Sequence, residues 1–333
     1  MKRIAIIGAG TWGLAVANVL SSNGHAVTLY TRNDKKAKAL KKKRTHDNLP
    51  GFILDKKIDV TSDLEDAAKG KDIIVFAVPS VNFRKVVRSV VKIVKGTEYF
   101  VTLTKGLEDK TLYTMSEIIE DELRIKGIKS NKVAALSGPT HAEEVALFMP
   151  TMCVSASRSK KIAKFIQDTF MNIYFRVYTN NDIKGVEICA AFKNVIAIAS
   201  GMLTGLGYGD NIKAGLMTRG LAEMVRVGKA LGCKKDTFYG LAGVGDMIVT
   251  CTSTNSRNYR FGKLIGENCS ADKALKKIGM VVEGVNLIPK AMEIRKKYKL
   301  DLPVSTALNE IIYNKKDPRR ILNLLMLRSK KAE

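Results

Sequence analysis

The chain has 333 residues, 46% of them hydrophobic, and 56 Lys+Arg against 32 Asp+Glu give a formal net charge of +24. That length holds two domains with cores of their own, and the composition is that of a globular chain and excludes a disordered or fibrous one. The positive charge is dispersed over lysine pairs at 56–57, 160–161, 234–235, 276–277, 296–297 and 330–331, with one denser cluster at Lys41–Arg44; with no basic arm and no nucleic-acid module, we expect no nucleic-acid partner, and a field that draws in phosphorylated substrates.

The first element is the most informative. Ile4-Ala5-Ile6-Ile7 reads as a buried strand, it runs into Gly8-Ala9-Gly10-Thr11-Trp12-Gly13, and a helical apolar pattern follows from Leu14 to Leu20. Strand, glycine turn and helix in this order form the G-x-G-x-x-G pattern of dinucleotide binding. Gly8 allows the tight turn, Gly10 lets a pyrophosphate approach the backbone, and Gly13 lets helix and strand pack closely. The helix start adds free N–H groups and a positive dipole end. A merely structural glycine turn is the competing reading, and the flanking strand and helix weigh against it.

The second strand is Ala26–Tyr30, and where an Asp or Glu would bind a ribose 2′-hydroxyl the chain has Thr31-Arg32-Asn33. No acid repels a 2′-phosphate there and Arg32 can pair with one, which favours NADPH and leaves NADH open. A basic helix around 34–43 and a loop through Pro50-Gly51 follow. Asp72–Ala77 is a strand ending at Val78-Pro79-Ser80. The next helix puts Phe83, Val86, Val87, Val90, Val91 and Val94 on one face, with Arg84, Lys85, Arg88 and Lys92 outside that stripe. Tyr99–Leu103 is a strand ending at Thr104-Lys105-Gly106, Val133–Leu136 is another ending at Ser137-Gly138-Pro139-Thr140, and strand-like runs lie near 151–155 and 174–178.

Alternating strands and helices predict an α/β fold with a doubly wound, mostly parallel sheet of Rossmann type. Ligands bind beyond the carboxyl ends of such strands. That location singles out Val78–Ser80, Lys105 and Gly138–Thr140. From about Asp182 the pattern becomes helical, with helices expected over 182–206, 210–231, 284–299, 303–313 and 317–327. We therefore expect a dinucleotide-binding domain over 1–180 and an all-helical substrate domain over 181–333.

Within the helical half, Lys193 sits in the apolar run Ala190-Ala191-Phe192-Lys193-Asn194-Val195-Ile196-Ala197. A buried amine there costs desolvation energy unless it is paired or functional, snorkelling being the bland alternative. Burial can bring a lysine pKa toward ~7–8, suited to proton transfer. Residues 240–262 gather glycines, hydroxyl residues, one acid and two arginines. Asp246 is placed to pair with Lys193, while Thr250, Ser256, Arg257 and Asn258 could cradle a phosphate, with Arg257 as a planar fork. The bland alternative is a flexible loop with an ordinary helix cap.

No apolar run reads as long enough to cross a membrane, so no membrane insertion is expected. The chain reads straight into its first strand, so no signal peptide is expected. Five cysteines without a C-x-x-C pair read as reduced thiols of a cytoplasmic enzyme. His25, His46 and His141 match no metal-ligand spacing, so no metal is expected.

Together these motifs closely resemble the bacterial type of NAD(P)-dependent glycerol-3-phosphate dehydrogenase. The resemblance runs through GAGTWG at 8–13, AVPS at 77–80, TKGLE at 104–108, SGPTHAEEV at 137–145, AAFKNV at 190–195, GLGYGDNIKAGLMTRGLAEM at 205–224, the 240–262 run and VVEGV at 281–285. It implies reversible reduction of dihydroxyacetone phosphate to sn-glycerol 3-phosphate, which supplies phospholipid synthesis. It implies Lys193 as proton donor and acceptor, with Lys105, Gly138, Thr140, Asp246, Ser256, Arg257 and Asn258 on the substrate. Thr11, Trp12, Arg32, Lys105, Ala142, Arg257, Val281 and Glu283 fall on the cofactor, NADPH or NADH. Thr11 stands where the family usually has Ser and keeps the hydroxyl; Asn48 stands where Tyr or His is frequent. The family is often dimeric, so a homodimer is an open expectation. Two alternatives stay in view: another two-domain, lysine-dependent hydroxy-acid dehydrogenase, against which the 240–262 run argues, and a non-catalytic nucleotide-sensing protein, against which Lys193 argues.

Overall fold

A computed structural model describes residues 1–330. The chain divides into two units, Met1–Glu187 and Ile188–Glu333. In the first, the strands are β1 (Arg3–Ile7), β2 (Ala26–Tyr30), β3 (Asp59–Thr61), β4 (Ile73–Phe76), β5 (Tyr99–Thr102), β6 (Val133–Ser137), β7 (Thr151–Ala156) and β8 (Phe175–Asn180). Its helices are α1 (Thr11–Ser22), α2 (Asp34–Lys43), α3 (Leu64–Ala68), α4 (Phe83–Val91), α5 (Met115–Ile125), α6 (Ala142–Ala146) and α7 (Lys160–Phe170).

The strands form one sheet in the order β3-β2-β1-β4-β5-β6-β7-β8. All neighbours are parallel except β6 and β7. Period-two alternation explains the two-sided burial. Ile4 and Ile6 of β1, Ile73 and Val75 of β4 and Val101 of β5 pack into one core with α1 and α7. Ala5, Ile7, Ile74, Phe76 and Phe100 enter a second core with α3, α4 and α5. This is the doubly wound arrangement expected. The three-residue β3 was not legible in the sequence, since it has only Val60 fully buried.

The long helix α8 (Ile183–Gly205) crosses the division between the units. By length and hydropathy it is apolar enough to span a membrane, which corrects the sequence expectation. Its apolar stretch is wholly buried inside the fold, as suits the core helix of a helical unit. The second unit continues with α9 (Asp210–Ala230), a π-helical turn (Leu241–Gly245), α10 (Asp246–Thr252), α11 (Arg257–Gly266), α12 (Ala271–Ile278), α13 (Glu283–Tyr298), α14 (Pro303–Ile312) and α15 (Pro318–Met326). The 240–262 segment is thus the π turn and two helices, and not the flexible loop that its glycines and hydroxyls allow.

Candidate active site

In the first unit, β1, β2, β4, β5 and β6 run parallel, so their carboxyl ends share one edge of the sheet. That edge collects the glycine turn, Arg32, Val78–Ser80, Lys105 and Gly138–Thr140. Gly8 has φ +124°, and a Cβ there would strike the Ala77 carbonyl. A Cβ at Gly13 would strike the Gly8 carbonyl, which is how α1 approaches β1 so closely. Gly10 has no atom within 4 Å of its Cβ position, so its backbone faces open space. No side chain caps α1. The Trp12 indole Nε1 is buried without a hydrogen-bond partner. An open approach to Gly10, an uncapped helix start and an orphaned donor beside it fit a dinucleotide's pyrophosphate.

At the end of β2, Arg32 is exposed. Asn33 caps α2 by accepting from the Lys36 N–H at 3.1 Å. The next acid along the chain, Asp34, pairs with Lys38 at 2.8 Å and accepts from Ser62 Oγ at 3.0 Å. The Lys38 and Ser62 contacts hold its carboxyl below the usual range. Farther along the edge, Lys105 Nζ and Thr140 Oγ1 both donate to the Gly138 carbonyl, at 3.3 and 3.0 Å. Gly138 has φ +151°, and a Cβ there would meet Cys153 Cα at 2.8 Å, so this position needs glycine for the fold as well. Ala142 opens α6 just beyond.

In the second unit, Lys193 on α8 is only 4% exposed. Its Nζ is ion-paired to Asp246 Oδ1 and donates to Thr250 Oγ1 at 2.7 Å. Asp246 and Thr250 stand four apart on α10 and therefore share a face. Thr250 Oγ1 donates in turn to the Asp246 carbonyl at 2.5 Å. The buried charge is thus paired and hydrogen-bonded, as burial demands. Thr250, a candidate from sequence for a phosphate cradle, has its hydroxyl on the lysine. Next to it, burial pushes the Cys251 thiol up to about 12, so it stays a neutral thiol.

Helices α8 and α11 meet backbone to backbone. Cβ atoms at Gly201 and Gly205 would strike the Tyr259 and Lys263 carbonyls, and at Gly262 and Gly266 those of Ile198 and Met202. This close crossing sets Asn258 against Asn194, whose Oδ1 accepts from Asn258 Nδ2 at 2.8 Å. Asn258 Oδ1 accepts from the Gly284 N–H at 2.9 Å. Ser256 caps α11 by accepting from the Tyr259 N–H at 3.2 Å. Arg257 Nη1 donates to the Val281 carbonyl at 2.9 Å, two residues before Glu283 opens α13. Asn194 is legible in the sequence as part of a polar notch beside Lys193, but its pairing with Asn258 and the paired glycines are not. The Gly-x-x-x-Gly spacing at 201–205 and 262–266 was the available signal for the glycines.

Residues 3–163 match the family described as NAD-dependent glycerol-3-phosphate dehydrogenase N-terminus, and residues 182–323 its C-terminus. The chain is 47% identical to glycerol-3-phosphate dehydrogenase [NAD(P)+] 2 of Lactobacillus delbrueckii subsp. bulgaricus, covering 100% of this chain and 99% of the relative. It is 45% identical to glycerol-3-phosphate dehydrogenase [NAD(P)+] of Fusobacterium nucleatum over the same shares. The crystal structure of glycerol-3-phosphate dehydrogenase from Coxiella burnetii superposes with a TM-score of 0.93 at 33% identity, covering 98% of this chain and 99% of that one. With both halves matched and the glycine turn and buried lysine in place, the chain belongs to the NAD-dependent glycerol-3-phosphate dehydrogenase family of NAD(P)-linked oxidoreductases.

Proposed function

We propose that the chain interconverts dihydroxyacetone phosphate and sn-glycerol 3-phosphate with NADPH or NADH, supplying the glycerol phosphate backbone for phospholipid synthesis. The observation that carries this reading is the buried Lys193–Asp246–Thr250 cluster within a chain of this family. The nicotinamide, when bound, supplies or takes the hydride at the substrate's central carbon. During reduction, negative charge grows on the carbonyl oxygen. The Lys193 ammonium stabilises that charge and delivers a proton to the oxygen; in the reverse direction Nζ takes it back. Asp246 holds the amine charged and oriented, and Thr250 fixes it from a second side.

Gly8, Gly10, Thr11, Trp12 and Gly13 hold the cofactor pyrophosphate in this reading, with Arg32 on the ribose and Ala142, Val281 and Glu283 as further contacts. Lys105 and Arg257 serve both ligands. Gly138, Thr140, Ser256 and Asn258 complete the substrate contacts. For Asn258, whose amide is spent on Asn194 and Gly284, the proposed role is to support Arg257 as well as to touch substrate. Domain boundaries near residue 180, a cytoplasmic setting and the absence of nucleic-acid or membrane partners belong to the same proposal.

A homodimer is also proposed. In the second unit a cavity of about 740 Å³ is lined mostly by apolar groups of α8, α9, α14 and α15, with Arg219, Arg226, Asp301 and Arg328 among them; Met326 of its lining and the nearby Leu324 and Leu327 stand exposed. Apolar surface of this kind commonly marks an interface. Sedimentation would read the oligomeric state. The activity itself is tested by following reduced-nicotinamide absorbance with dihydroxyacetone phosphate and each cofactor in turn; no oxidation with either sinks the reading.

A further inference from the structure

The resemblance gives Glu108, the last residue of TKGLE, no role, and Arg84 is only an off-stripe charge on α4. The structure joins them. Arg84 Nε and Nη2 donate to the two carboxylate oxygens of Glu108 at 2.5 and 2.7 Å, a planar fork-to-fork pair. Its Nη1 donates to Asp121 at 2.5 Å and to Glu122 at 2.8 Å, both on α5. The Arg84 side chain is 21% exposed and that of Glu108 17%, so solvent screens this pair only in part.

Helices α4 and α5 do not need the fork to stay together. Their apolar stripes already pack in one core, and Arg88 already bridges to Glu122 with two bonds of 2.9 Å. The fork reaches beyond the helix pair onto the loop that carries Lys105. That loop is held from several sides. Thr104 Oγ1 donates to the Val78 carbonyl at 2.7 Å, Thr111 Oγ1 to Glu108 Oε2 at 2.6 Å, and the Glu108 N–H to the Tyr113 carbonyl at 2.9 Å. It also contains two non-glycine residues of positive φ, Lys110 at 68° and Leu112 at 60°. Backbone of that kind persists where its surroundings over-determine it. Burial pushes the Glu108 carboxyl up, but the Arg84 and Thr111 bonds outweigh this and keep it a carboxylate.

We infer that Arg84 is a positioning residue: through Glu108 it locks the 104–113 loop so that Lys105 meets the ligands in one orientation. The inference rests on the proposed ligand role of Lys105. A pre-oriented side chain forgoes ordering at the moment of binding, so the lock acts on substrate capture.

The test is a double-mutant cycle read as kcat/KM for dihydroxyacetone phosphate. Arg84→Met keeps the apolar stem and removes the fork. It is expected to lower kcat/KM about tenfold, mostly through KM. In a Lys105→Ala background the same change is expected to cost less than about twofold, because the group it positions is gone. Glu108→Gln should repeat the pattern if Arg84→Met folds poorly. Arg88→Met, which removes a contact to Glu122 alone, should leave kcat/KM unchanged. Losses at Arg84 and Lys105 that multiply, or an Arg84→Met enzyme matching the parent, overturn the inference alone. A fully active Lys105→Ala enzyme overturns both the inference and the assignment of Lys105 beneath it.

Discussion

Lys193 and Asp246 face each other from α8 and α10 with only 5% and 1% of their side chains exposed. Removing one member of such a pair strands the other charge in a dry interior, and this typically costs about 3–5 kcal/mol. The pair is therefore structural and chemical at once, and the two roles separate by experiment. We predict that Lys193→Ala lowers turnover by roughly 10²–10⁴-fold while NADPH still binds. Denaturant melts should show Asp246→Ala less stable than the double variant Lys193→Met/Asp246→Leu, which leaves no lone charge. Near-parental turnover in Lys193→Ala would falsify the proton-transfer role.

Arg32 stands exposed at the end of β2, and the next acid along the chain, Asp34, is engaged with Lys38 and Ser62. Arg32→Ala should weaken NADPH roughly 10–100-fold, the range for a hydrogen bond to a charged group, and NADH little. Fluorescence titration of both cofactors reads the difference, and equal losses count against a 2′-phosphate contact.

For the substrate, Arg257 is anchored by the Val281 carbonyl and lies at the first turn of α11. Charge-assisted contacts to a phosphate dianion should make unphosphorylated dihydroxyacetone a very poor substrate, since it leaves buried donors unpaired. Arg257→Ala should lower kcat/KM for the phosphate roughly 10–100-fold and narrow the gap between the two. Comparable kcat/KM for both compounds in the parent enzyme would refute a phosphate clamp.

Stability should carry a signature of Glu187. Burial pushes its carboxyl up to about 7 from 4.5, against the opposing hydrogen bonds from Ser116. The native state then keeps a proton that the unfolded chain releases, so this group's contribution falls as pH rises from 4.5 to about 7 and is fully lost above that. The loss is about 3 kcal/mol at most. Glu187→Gln should flatten it: between about pH 5 and 8, denaturant melts should show the parent losing more stability than the variant. An identical pH dependence in both removes Glu187 as its source.

The glycine turn, the strands other than β3 and their carboxyl-end residues were legible because each is local. Gly8, Gly10 and Gly13 are fixed by a turn and a helix start, and Ile4–Ile7 by continuous burial. Lys193 stood out because a charge inside an apolar helix is conspicuous in one dimension. Its partner Asp246 was traceable through composition, as the only acid in the 240–262 run. The remaining relationships depend on which backbones cross. Thr250 meets Lys193 because α10 presents residues 246 and 250 on one face. Asn258 meets Asn194 because four glycines let α8 and α11 touch. Arg84 finds Glu108, 24 residues away, only because β4 and β5 lie side by side and deliver their loops to the same edge. Sequence periodicity tells which face of an element is buried; which buried faces meet is decided by packing at van der Waals distance, and that is a property of the assembled chain.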